Sequence, residues 1–121
     1  MKTESAVFLA CAVAVRLAAT AQAQTNLQFT SAAATEESAV RLNWASISNE
    51  VYQIQEADAL GTNADGSTTW NVLYTPYPSQ GTNTFWLDTG NYYDVPPIVH
   101  PKYVAQRYYR ILDLGPDTNG A

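Results

Sequence analysis

An all-β antiparallel sandwich of six or seven short strands, preceded by a signal peptide, is the fold this sequence predicts. Three observations carry the prediction. Stretches of four to eight residues with apolar side chains two apart recur along the chain, and none shows the 3.6-residue period of a helix. Runs rich in Gly, Pro, Asn and Asp separate them, as turns require. The three Trp and eight Tyr all lie after Gln24, and each removes about 150–250 Å² from water when buried.

The leader comes first. Lys2 precedes an apolar run from Ala6 to Val15, and Ala21-Gln22-Ala23 supplies small residues suited to cleavage. Residues 1–23 therefore read as a secretory signal peptide, because the run is too short for an ordinary membrane-spanning helix. Cys11, the single cysteine, leaves with it, so the mature chain holds neither disulfide nor thiol and relies on burial for stability. Lys2, Arg16 and Glu4 leave as well, which makes the mature chain one charge more negative than the −5 of the whole. An acidic surface whose bases are Arg41, Lys102, Arg107 and Arg110 argues against nucleic acid, and against a membrane once the signal is cleaved. The expected location is secreted, periplasmic or at the cell surface.

Residues 24–39 hold a first strand around Leu27–Thr30, then a polar connection through Ala32 to Ser38. An Ala-rich helix from Ala32 would be too short to stand alone. Val40-Arg-Leu-Asn-Trp-Ala45 alternates cleanly, with Val40, Leu42 and Trp44 inward. After a turn at Ser46–Glu50, Val51–Ala57 places Tyr52 and Ile54 in the core. Asp58–Thr69 is a polar loop with an Asp65-Gly66 turn signal. Trp70–Tyr74 forms the fourth strand, and Pro76 and Pro78 break the chain between Thr75 and Gly81. Asn83–Asp88 is the fifth, with Phe85 and Leu87 inward and Trp86 outward. A long connection, Thr89–Pro101, leads to the late strand Tyr103–Leu114, where Arg107, Tyr109, Ile111 and Asp113 share one face. The sandwich spans 40–114, and 115–121 is a tail. With no seventh strand after Leu114, the edge beside the late strand is expected to be open and ready for strand addition by a partner.

The motifs Leu42-Asn-Trp44, Tyr52-Gln-Ile54, Trp70, Phe85-Trp-Leu-Asp-Thr-Gly90 and Arg107-Tyr-Tyr-Arg-Ile111 resemble the fibronectin type III-like module. The likeness is to variants that exported bacterial proteins carry near their C-termini, and it covers about Val40 to Leu114. It implies an immunoglobulin-like sandwich with the second strand beside the fifth. It also implies a core built on Trp44, Tyr52, Ile54, Tyr109 and Ile111, to which the alternation adds Trp70, Phe85 and Leu87. It implies little about function, since this sandwich serves as spacer, adhesin segment and binding module alike.

The residues point away from catalysis. The mature chain has one histidine, His100, set among prolines without a nucleophile elbow, and no cysteine to pair with it. Glu56, Asp58 and Asp88 are carboxylates at strand ends of a small sandwich with little room for a glycosidase cleft. Asn63-Ala-Asp65-Gly66 resembles part of a calcium loop, but Val72 stands where the closing acid belongs, so a plain turn is the better reading. No catalytic residue, metal or cofactor is assigned. The expected function is that of an exported, non-catalytic structural or protein-interaction module. The alternative is a carbohydrate-binding module that uses exposed aromatics, and the partner is then a surface protein or a polysaccharide. The candidate ligand-binding residues are Trp86, Arg41, Tyr77, Tyr92 and Tyr93, with Arg41 placed to stack on Trp86.

Overall fold

The computed structural model describes the backbone of residues 4–11 and 15–19 and, with side chains, residues 27–117. Eight strands follow one another: β1 (Glu4–Cys11), β2 (Val15–Ala19), β3 (Phe29–Ala34), β4 (Val40–Ala45), β5 (Glu50–Ala57), β6 (Asn71–Pro78), β7 (Asn83–Asp88) and β8 (Gln106–Pro116). A single 3₁₀ turn, Pro101–Tyr103, precedes β8. All pairings are antiparallel. One sheet runs β3-β4-β7 and the other β2-β1-β8-β5-β6. The chain is all-β and consistent with a sandwich. Among the described residues no helix is long and apolar enough to cross a membrane.

The core lies between the sheets. Leu27, Phe29, Val40, Leu42 and Trp44 come from one side, Tyr52, Ile54, Leu73, Tyr109 and Ile111 from the other, and Ile98 from a connection. Of the eight expected core residues, Trp44, Tyr52, Ile54, Tyr109 and Ile111 are fully buried, and each such side chain contributes on the order of 1.5–3 kcal/mol. Trp44 is the hub, meeting Phe29 and Tyr52 edge-on at 6.2 and 5.7 Å and Tyr77 at 6.2 Å. Burial pushes the Tyr52 phenol up to about 12, although its hydroxyl accepts the Ile47 N–H.

Four expectations are corrected. In β7 the phase is reversed: Thr84 and Asp88 are buried and Trp86 packs on the core, while Phe85 and Leu87 are 37% and 42% exposed. Apolarity misled here because the two polar inward residues have buried partners. Thr84 shares a hydrogen bond of 2.6 Å with the Ser46 hydroxyl, and Asp88 pairs with Arg107. Trp70 is also outside the core. It precedes β6 and lies half-buried under the Arg110 guanidinium, 4.7 Å from its ring. Strand β6 does not break at Pro76 but runs on to Pro78, which an outer strand tolerates where its register against β5 shifts between Tyr74 and Tyr77. Finally, in the full chain the edge of β8 is covered, since β1 pairs along it from Glu4↔Leu112 to Cys11↔Gln106; loss of residues 1–23 would bare that edge. The segment read as a leader thus forms two strands over its described residues, while the Ala21-Gln22-Ala23 cleavage position lies outside them.

Candidate functional site

Strands β6 and β7 are outer strands of opposite sheets, and the space between them forms a cleft of about 800 Å³. Tyr74 stands on the β6 wall and Trp86 and Leu87 on the β7 wall, with Asn91, Tyr92 and Tyr93 at the rim. Tyr74 and Trp86 lie 6.3 Å apart at a tilt of 53°, and Tyr74 meets Tyr77 edge-on at 5.5 Å. Tyr77 lies outside the lining and touches it through Tyr74. Its hydroxyl donates to the Phe85 carbonyl at 2.8 Å and accepts from the Gln80 amide at 2.9 Å. Desolvation raises the Tyr77 phenol above its usual value.

The rim is held in place by a set of short ties. Asn91 and Ile98 exchange backbone hydrogen bonds of 2.6 and 2.9 Å, and Ile98 anchors in the core. The Tyr92 hydroxyl accepts the His100 N–H at 2.8 Å, and the Asn91 side chain accepts the Tyr93 N–H at 3.1 Å. Gly90 permits the close approach: with φ at +91°, a Cβ there would stand 2.5 Å from the Ile98 carbonyl oxygen. The tip beyond is bare, with Tyr93 99% and Val95 97% exposed.

The root of this connection is a buried charge cluster. Asp88 accepts from Arg107 at 3.0 Å, from the Tyr109 hydroxyl at 2.6 Å and from the Gly90 N–H at 2.8 Å. Glu56 Oε1 stands 3.3 Å from Arg107 Nε, Asp58 stands at 3.6 Å, and the other Glu56 oxygen accepts from Asn71 at 2.9 Å. Burial, only partly offset by Asn71 and Arg107, pushes the Glu56 carboxyl up to about 7. Burial works against the Arg107 charge, but Asp88 and Glu56 outweigh it and hold its proton more firmly than usual. Burial first, then the Asp88 charge, drive the Tyr109 phenol far above its ordinary range. A second cavity of about 250 Å³ lies between this cluster and the Asp94–Val99 stretch. The three strand-end carboxylates thus gather around one arginine: Asp88 joins the sheets through it, while Glu56 and Asp58 line the smaller cavity.

Of the predicted ligand residues, Trp86, Tyr92 and Tyr93 line the large cleft, although Tyr93 projects almost wholly into solvent, and Tyr77 lies outside the lining and packs against Tyr74. Arg41 does not join them. It lies on the outer face of its sheet with its guanidinium 4.0 Å over Phe85, because β7 presents Phe85 and not Trp86 on that side. Leu87, Asn91 and the Asp88 tie were not foreseen. A signal for Asp88 existed, since Arg107 and Tyr109 fall on the core-facing side of β8 and a buried arginine needs a buried acid. His100 serves its turn, with Nδ1 accepting the Lys102 N–H at 3.0 Å. Asp65 is likewise spent locally on the Ser67 N–H and hydroxyl, bonds that lower its pKa. Comparison with protein-family models, curated proteins and solved structures gives no match.

Proposed function

We propose that this protein is an exported, non-catalytic β-sandwich of fibronectin type III-like build that binds carbohydrate in the cleft between β6 and β7. The observation that carries this reading is the Tyr74–Trp86 ring pair, 6.3 Å apart on the two walls of one cleft, with the half-exposed Tyr92 on its lining. Aromatic faces with polar tips suit the apolar faces and hydroxyl rims of sugar rings. Trp86 has no Arg41 lid: it packs partly on the core and turns its remaining surface to the cleft beside Tyr74. The single histidine and the buried carboxylates have structural duties, which favours binding over turnover.

Titration with soluble oligosaccharides and polysaccharides, followed by Trp emission, tests the reading. Quenching by at least one glycan, lost in Trp86→Ala, is the expected result. A folded protein that responds to none of a broad glycan panel leaves instead a structural or protein-interaction module.

A further inference from the structure

Resting on that carbohydrate reading, we infer that the cleft takes an uncharged polysaccharide and rejects anionic ones. The argument is an inventory of charge. The described bases are Arg41, Lys102, Arg107 and Arg110, and each is committed away from the cleft. Arg41 covers Phe85 on the outer sheet face. Arg107 is buried between Asp88 and Glu56. Arg110 stacks on Trp70 and donates to Gln55 at 2.7 Å. Lys102 lies 5.1 Å over the Tyr103 ring. Among the described residues no base lines the cleft, and its one charged group is Asp94. A uronate or sulfate entering there meets a like charge with no counterion. Sites that capture such groups rely on Arg or Lys forks, which are missing from this lining.

The polar groups that do face the cleft are matched to hydroxyls. Thr89 offers a neutral hydroxyl, Thr75 and Asn91 keep spare capacity beside their bonds to Gln53, Tyr93 and Leu73, and the Asp94 carboxylate is a ready acceptor for sugar O–H groups. The backbone adds one more pair. Phe85 turns its N–H and C=O away from β4, where the Gln80 and Tyr77 side chains take them at 3.1 and 2.8 Å. Strand periodicity turns the Leu87 pair the same way, and Leu87 lies on the cleft wall. Beside the Trp86 ring there is therefore a donor and an acceptor fixed by the sheet. That combination reads ring faces and hydroxyls but supplies no positive charge.

Affinity electrophoresis of the full chain tests this, with neutral polymers (xylan, a β-glucan, a galactomannan) run beside anionic ones (polygalacturonate, alginate, dextran sulfate). We expect retardation by a neutral polymer, weakened about tenfold or more by Trp86→Ala and by Tyr74→Ala, and none by the anionic set. Asp94→Lys supplies the missing charge. It should admit an anionic polymer while near-UV circular dichroism stays that of the parent. Retardation of the parent by anionic polymers in preference to neutral ones overturns this inference and leaves the carbohydrate reading standing. Failure of a folded parent to bind any of the six overturns both.

Discussion

The two long connections of the molecule are built on opposite terms. Beyond Asp58, which reaches Arg107 at 3.6 Å, the loop to Thr69 satisfies itself: Gly66 N–H donates to the Asn63 carbonyl at 2.8 Å, Ser67 and Thr69 bond to Asp65 and Asn63, and its residues stay near the surface. The Thr89–Pro101 connection is tied to the interior, through Asp88 at its root, Ile98 in the core and the Asn91–Ile98 bridge. Only the second presents aromatic rings to a cleft. A loop closed on its own polar groups needs nothing from the core, and it holds nothing in register with the core either. A loop that borrows interior anchors can hold a ring such as that of Tyr92, whose hydroxyl takes the His100 N–H, and ordering it in advance lowers the entropy cost of binding.

The comparison breaks most visibly at Asp88. Asp88→Ala leaves the Arg107 charge buried without its main partner and frees the Gly90 N–H. A loss of about 3–5 kcal/mol in chemical denaturation is expected, together with loss of glycan binding. A loss under 1 kcal/mol would mean that the connection does not depend on its buried root. Two glycines give the next test. Gly90→Ala should cost about 3 kcal/mol, since a strained φ and a collision with the Ile98 carbonyl act together. Gly66→Ala, at a φ of +85° with open space around it, should cost about 1 kcal/mol. Equal losses would show that the collision is relieved at no expense.

Glu56, beneath the second connection, supplies a pH signature. Its folded-state pKa lies above its ordinary value of 4.5, so the folded chain holds this proton more tightly than the unfolded chain. The resulting stability is complete below pH 4.5, falls as pH rises, and is gone above about 7. Denaturant midpoints of the parent should therefore decline across that window, by about 2–3 kcal/mol in total. Glu56→Gln should flatten that part of the profile. An unchanged slope in the variant would assign the dependence to another group. The smallest effect belongs to the first loop. Asp65→Asn weakens only surface turn bonds, and its thermal midpoint should match the parent's within error.

How much of this was legible depended on whether a strand buries only what is apolar. Strand β4 alternates Val40, Leu42 and Trp44 against Arg41 and Asn43, so its pattern gave both its limits and its inward face. The same rule reversed β7, because Thr84 and Asp88 are buried by partners distant in sequence that local alternation cannot register. The error carried into the site: an outward Trp86 invited Arg41 to cover it, whereas Arg41 found Phe85. Tyr92 and Tyr93 were recognisable as loop aromatics. Their convergence with Tyr74 and Trp86 depends on β6 and β7 being outer strands of opposite sheets, a relation no local pattern encodes.

The Gln80 side chain also bears on solubility. Its carbonyl takes the Phe85 N–H, and its amide reaches the Phe85 carbonyl at 3.2 Å, so one amide imitates a neighbouring peptide. A bare margin of β7 with Phe85 and Leu87 on its outer face would invite a second molecule to continue the ladder, the first step towards a fibril. With Phe85 already satisfied, an incoming chain must forfeit that register or dislodge the amide, so Gln80 acts as a built-in stopper against sheet-to-sheet growth.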